Sequence, residues 1–269
     1  MRTATDPADS PGCDRQPLDD ATAAFAARLQ HIVGTCPVGQ TRMVRALASP
    51  RCPRALERRL AVSAYVGARA FTGQLAALIR LADAPEARLM LIENLIDEEG
   101  LRIVSGQGLA LRPQAVHLRW AEIFLHSLDM TVDDALAMAS ADGINRRLTR
   151  FAAYLAAGDW LAAMAYLMVG QEALVPATFG PIIDGLRARG HDEAGIVFFT
   201  AHLAADLEHG GQAVALMARL AGRDHRRQAA IADAVMQGAH DWWLSYGGDG
   251  ATDMASRQPG WWCAMTSPS

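Results

Sequence analysis

The chain has 269 residues, 51% of them apolar, enough to bury a sizeable core in one large domain or two small ones. Its net charge of −4, with 25 arginines and no lysine, provides no basic footprint for nucleic acid. Four scattered cysteines (Cys13, Cys36, Cys52, Cys263) lack C-x-x-C spacing, so they imply neither a zinc knuckle nor a disulfide framework and suit a reducing, cytoplasmic setting.

Residues 1–18 are polar, with Asp and Pro where a signal peptide would carry its apolar core, and are expected to form a flexible arm. From 19 to 245 the apolar residues recur with helical period and no turn-rich gap, which predicts a single helical-bundle domain. Helices are expected at roughly 19–33, 41–49, 54–82, 85–100, 113–128, 131–139, 143–156, 158–173, 176–189, 191–209 and 211–245. Asp19-Asp20, Thr131 with Asp133-Asp134, Asp159 and Asp192-Glu193 supply N-terminal caps and first-turn acids. Pro113 and Pro176 suit first turns, and Gly100, Gly158, Gly190 and Gly210 mark C-terminal ends. Strand-like alternation is absent, so the fold class is all-α, a bundle whose cofactor or metal sites are built from side chains on facing helices. The longest nearly uncharged apolar stretch, 160–170, is about half of a membrane span, which predicts no membrane association. Residues 246–269 read as an irregular tail rich in Gly, Ser and Pro; its Trp261-Trp262 pair is expected to pack back on the body or on a partner, a homodimer included.

The segment His202-x3-Asp206-x2-His209 carries the most chemistry. Offsets of four and three put all three side chains on one helix face, the face that upstream carries Gly195, Phe198 and Phe199. Burying two imidazoles and a carboxylate there is costly unless a metal coordinates them. Glu172 lies on a face with Ala165, Met168 and Val169, and no basic residue occurs between Phe151 and Arg187 to neutralise it. His117 opens the otherwise hydrophobic face His117, Trp120, Ala121, Phe124. Between Glu93 and Gly100 four acids are interleaved with Leu91, Ile92, Leu95 and Ile96, so at least one faces the interior; periodicity alone does not choose between Glu98 and Glu99. His126 falls on a different face, beside Glu122, as a surface or supporting residue. Three imidazoles and three carboxylates, with no thiolate, suffice for two first-row metals with open positions, and suit non-haem iron or manganese better than a closed zinc site. The ferritin-like answer, two Glu-x-x-His pairs, is disfavoured because the chain contains no Glu-x-x-His.

Over roughly residues 60–210 the chain resembles the haem-oxygenase-like di-metal oxidases, iron-containing redox enzymes on a haem-oxygenase/TenA-like helical bundle. The resemblance rests on Asn94-x2-Asp97-Glu98-x-Gly100, on His117 at the head of a helix, on Glu172 in a Gly-x-Glu context before Pro176, and on His202-x3-Asp206-x2-His209. By analogy it selects Glu98 over Glu99, which makes the implied metal set Glu98, His117, Glu172, His202, Asp206 and His209. It further implies two Fe2+ ions per chain with O2 as co-substrate. The implied activity is an oxidase or oxygenase of a small amine or amino-acid-derived substrate, of the kind found in specialised metabolism. Asn94 and Asp97 would orient ligands from behind, Tyr65, Met164, Met168, Phe198 and Phe199 lie near the proposed faces, and Arg69 or Arg119 would hold a substrate carboxylate. The self-sacrificing p-aminobenzoate route of one family branch needs a lysine and is closed to this chain.

Two other readings stay open at this level. A fatty-acid oxidative decarboxylase of the same family would need a long apolar tunnel, which the Met/Ala-rich segment 158–170 permits. A metal-free TenA-like bundle that binds or hydrolyses a small molecule would use a cysteine nucleophile and leave His202, Asp206 and His209 without a common partner. His31, among polar neighbours, offers little to a haem.

Overall fold

The computed structural model describes residues 18–104, 108–142 and 145–248, and the backbone alone of 103, 140–142, 145 and 205–209. Residues 1–17 of the arm and 249–269 of the tail, with Trp261 and Trp262, therefore lie outside the described residues, while Tyr246 at the start of the tail is buried in an apolar cluster of the body. Asp19 accepts from the Thr22 N–H at 2.8 Å and opens α1, Asp20–Gly34; Thr41 does the same for Val44 at 3.3 Å and opens α2, Arg42–Ala48. The long α3, Arg54–Leu81, follows Pro53, and α4, Pro85–Glu98, carries Pro at its first turn.

After α4 the chain departs from the all-helical expectation. Leu101–Val104 (β1) and Gly108–Leu111 (β2) pair antiparallel, Leu101 opposite Leu111 and Val104 opposite Gly108. A two-stranded ribbon this short escapes periodicity because β2 is exposed on both faces, so no apolar–polar alternation marks it. A short 3-10 turn at Pro113–Ala115 then leads into α5, His117–Ser127.

Thr131 and Asp134 cap one another reciprocally, each backbone N–H bonding the other's side chain at 2.9 and 3.1 Å, to start α6, Val132–Asp142. Helix α7, Asn145–Ala156, precedes α8, Trp160–Met164, which Asp159 caps through Ala162 N–H at 2.9 Å. The expected continuous helix over 158–173 is instead broken: a π-helical turn, Ala165–Val169, gives way at Gly170 to the 3-10 turn Glu172–Leu174. Helix α9, Val175–Ala188, continues from it. The segment Trp160–Ala188 is long and apolar enough for a membrane span by composition, but 72% of that apolar window is buried inside the bundle.

The last boundary also moves. Gly210 and Gly211 lie within α10, Val197–Ala221, and the stop falls at Gly222 (φ 53°), after which Asp224 caps α11, His225–Ser245, through Arg226 and Arg227 N–H. Gly210 is there for closeness: a Cβ would come within 3.3 Å of Ala173. Asp192 accepts from Gly195 N–H at 2.7 Å in a turn that precedes α10 and does not cap it. Gly100, Gly158 and Gly190 do end helices with positive φ.

The elements bury two adjoining apolar clusters. One is centred on Leu29, Leu75, Leu91, Tyr166 and Met217, the other on Leu60, Phe124, Ile182, Phe199 and Trp242. Helix α3 packs on α4, α5 and α6, α9 on α2 and α10, and α11 on the π-helical turn. There Gly170 and Gly238 allow backbone contact, since a Cβ on either would approach the other's Cα at 2.9 Å.

Candidate metal centre

The close of α4 fixes the first acid. Glu98 occupies its last turn and is buried, whereas Glu99 is exposed. Gly100 follows at φ 60°, where a Cβ would meet the Arg112 carbonyl at 2.7 Å, and its own carbonyl accepts from Arg112 N–H at 2.8 Å. The hairpin therefore leaves and returns to one place. Glu98 and His117, nineteen positions apart, become neighbours: Nδ1 of His117 lies 2.8 Å from Oε1 of Glu98. The imidazole is stacked on Trp120 with ring centroids 4.5 Å apart, and the indole is itself pinned by Nε1 donating to Gln114 O at 2.7 Å.

His202 comes to the same point from the middle of α10. Its Nδ1 donates to the Phe198 carbonyl at 2.6 Å, because a carbonyl only accepts, and in the neutral ring Nε2 then bears the lone pair. That Nε2 lies 3.8 Å from Glu98 Oε1, and the His117 and His202 rings meet edge to face at 4.7 Å. One ligand atom from each of Glu98, His117 and His202 lies within 4.8 Å of the others. Bonds of about 2.0–2.2 Å to a first-row metal would close that spacing with small side-chain movement.

The donor set fits a metal better than it fits itself. Nδ1 of His117 is buried and, despite the short contact to Glu98, has no hydrogen-bond partner. The pair is close without being aligned, as when two ligands converge on a third point. An internal hydrogen bond of similar length would leave neither atom orphaned.

Glu172 lines two cavities together with Glu98 and His202. Its position follows from the break after the π-helical turn, a feature that recurs at functional sites. Asp206 and His209 lie further along α10, but their side chains are outside the described residues. Asn94 is buried and donates to Met90 O at 2.8 Å, tying it to its own helix; it lines one of these cavities, beside Asp97, Arg112, His117 and Trp120.

The other cavity, about 820 Å3 with its open mouth included, is apolar on most of its wall, with Phe71, Leu167, Val175, Phe179, Phe198 and Trp242. Its polar lining is Glu98, Glu172, His202, Arg147, Gln171, Gln74 and Ser63, with the Tyr246 ring, whose phenol burial pushes up to about 12. Several expected neighbours are elsewhere. Met164, Met168 and Phe199 are core residues, Tyr65 is buried in the second apolar cluster, and Arg69 and Arg119 are exposed and line neither cavity. His126 is exposed at the end of α5, and His31 on α1 is exposed as well. Sequence reasoning missed Arg147 because Arg146-Arg147 within an amphipathic helix has the appearance of a solvated basic face. It missed Gln171 because a neutral amide beside Glu172 carries no metal-ligand signal.

A profile of a family described as iron-containing redox enzyme matches residues 58–243. Among solved structures, the chain is similar to the crystal structure of a TenA homolog from Pseudomonas syringae pv. tomato str. DC3000, with a TM-score of 0.70 and 15% identity, covering 86% of this chain and 95% of that one. At that identity the likeness is one of fold. No curated protein matches the chain in sequence.

Proposed function

The chain belongs to the iron-containing redox enzyme family, and on that premise we propose that it is a non-haem di-iron, O2-dependent oxidase or oxygenase of a small amine or amino-acid-derived substrate, in specialised metabolism. The observation that carries this reading is the convergence of Glu98, His117 and His202, of which Glu98 and His202, together with Glu172, line a largely apolar cavity. Glu98, His117, Glu172 and His202 would hold iron, joined by Asp206 and His209 from the following turn of α10. Two ferrous ions would supply the electrons that activate O2. The chain's own contribution is to fix the ligands and keep the site dry. Phe198 O orients the His202 ring, Trp120 orients His117, and Phe71, Phe179 and Phe198 exclude water from the space in front of them.

The cavity also weighs on the competing readings. A thiol nucleophile needs a cysteine at the pocket, yet among the described residues none lines it. Cys36 is buried, its thiol is pushed up to about 12 by that burial, and it leans on Ala239 O. A fatty-acid decarboxylase would present its carboxylate to the metals, whereas the cation in this cavity belongs to Arg147.

The test is metal content with oxygen uptake. Protein from iron-supplemented cells should hold up to two irons, and His202→Ala or Asp206→Ala should lose at least one while the helical circular-dichroism signal persists. Unchanged stoichiometry in both variants, or no O2 consumption by the iron-loaded chain across amino acids and amines, overturns the reading.

A further inference from the structure

Gln171 and Glu172 are consecutive, and both line the apolar cavity, but only Glu172 also borders the one beside His117. Gln171 is 5% exposed, and its Nε2 is buried with no hydrogen-bond partner. Its Oε1 faces Nη1 of Arg147 at 3.5 Å. The amide must sit this way round, since the opposite orientation would bring two donors together, so Nε2 is turned away from the guanidinium.

Arg147 is the cavity's only guanidinium among the described residues, and no described carboxylate lies within ion-pair distance of it. Its guanidinium lies over the Trp242 ring, Cζ 4.8 Å from the centroid, which holds the fork in place. A partly buried, positioned cation without a counter-charge and a buried amide N–H without an acceptor are both costly alone. They share one remedy, a planar anion with two oxygens.

From this juxtaposition we propose that Arg147 and Gln171 form the anchor for the substrate's carboxylate, in the cavity that Glu98, Glu172 and His202 also line. One guanidinium and one amide match the single charge and two oxygens of a carboxylate, where a phosphate dianion would call for more donors. The substrate is then an acid with a partly apolar skeleton lying against Phe71 and Val175, and it reacts at a carbon or nitrogen remote from its carboxylate. The inference rests on the oxidase reading for what happens at that remote end, and on the cavity alone for the anchor.

The two are separable by binding. Calorimetry on the iron-loaded full chain, kept anaerobic, would use hexanoate and 4-phenylbutyrate as probes against their neutral primary amides. The wild type should bind each acid at least about tenfold more tightly than its amide, the factor expected for one hydrogen bond to a charged group. Arg147→Met should abolish that preference with amide binding unchanged, and Gln171→Leu should reduce it. His202→Ala, which acts on the metal, should keep it whether or not iron is bound. Absence of an acid preference in the wild type, absence of acid binding altogether, or a preference that survives Arg147→Met but vanishes in His202→Ala overturns the anchor; the last outcome would mean that the metal holds the carboxylate.

Discussion

Asp241 is fully buried on α11, and one carboxylate oxygen accepts from both Tyr166 (2.9 Å) and Arg150 (2.5 Å). The same Tyr166 hydroxyl lies 3.4 Å from the Arg147 carbonyl, so this network joins α7, the π-helical turn and α11 just behind the cavity. Burial, with the Asp241 carboxylate adding to it, pushes the Tyr166 phenol well above its ordinary range, so it remains a donor. Asp241→Ala would strand both donors and is expected to cost about 3 kcal/mol, read as a lower urea midpoint at unchanged slope. Beside it, burial holds His240 below its ordinary value of 6.5, against the pull of Asp241. The unfolded chain then binds the proton more readily than the folded one, so stability is complete above about pH 6.5 and falls as pH drops through 6.5 toward the folded value. Melting temperatures of wild type and His240→Gln between pH 7.5 and 5.5 should diverge, with the wild type falling further; parallel curves would remove His240 as the cause.

Among the elements, the hairpin after α4 matters most, because it delivers His117 to Glu98. Its closure depends on Gly100, whose positive φ and 2.7 Å approach to Arg112 O admit no side chain. Gly100→Ala should destabilise the fold by about 1–3 kcal/mol and, more specifically, lower iron stoichiometry by shifting α5 relative to α4. A loss of stability with full iron content would show that the hairpin tolerates the shift. The contact between the π-helical turn and α11 is as tight: a Cβ on Gly238 would meet Tyr166 O at 2.4 Å. Gly238→Ala is expected to cost about 1–3 kcal/mol by overpacking, measured by thermal denaturation, since both neighbours are backbone and cannot rotate away.

Across the whole molecule, the cavity lies where the two apolar clusters meet, with Phe71 and Leu167 packed in one and Val175, Phe179 and Trp242 in the other. Iron held by Glu98, His117 and His202 would join α4, α5 and α10, and its binding energy would become folding energy. Anaerobic Fe(II) should raise the melting temperature, by an amount equivalent to about 2.7 kcal/mol at a hundredfold excess over the dissociation constant, and His202→Ala should lose most of the rise. An equal rise in the variant would place the bound iron away from α10.

Helical period, Asp and Thr caps and positive-φ glycines were enough to read most of the bundle from sequence, because each is a local signal fulfilled within a turn of chain. The face argument likewise picked out His117, Glu172 and His202, since a titratable group among apolar neighbours is visible in one dimension. Asp206 and His209 were singled out on the same ground, and the described side chains do not reach them. Choosing Glu98 over Glu99 needed the resemblance at the level of sequence; in the structure it follows from where α4 ends and which way its last turn faces. The hairpin, the broken helix before Glu172 and the role of Gly210 depended on what each segment meets elsewhere: a returning strand, the α11 backbone, Ala173. Arg147 and Gln171 were hidden for the same reason. Whether an arginine runs out to water, as Arg69 and Arg119 do, or is held over a tryptophan in a cavity is decided by helices far away in the chain, and only packing brings them together.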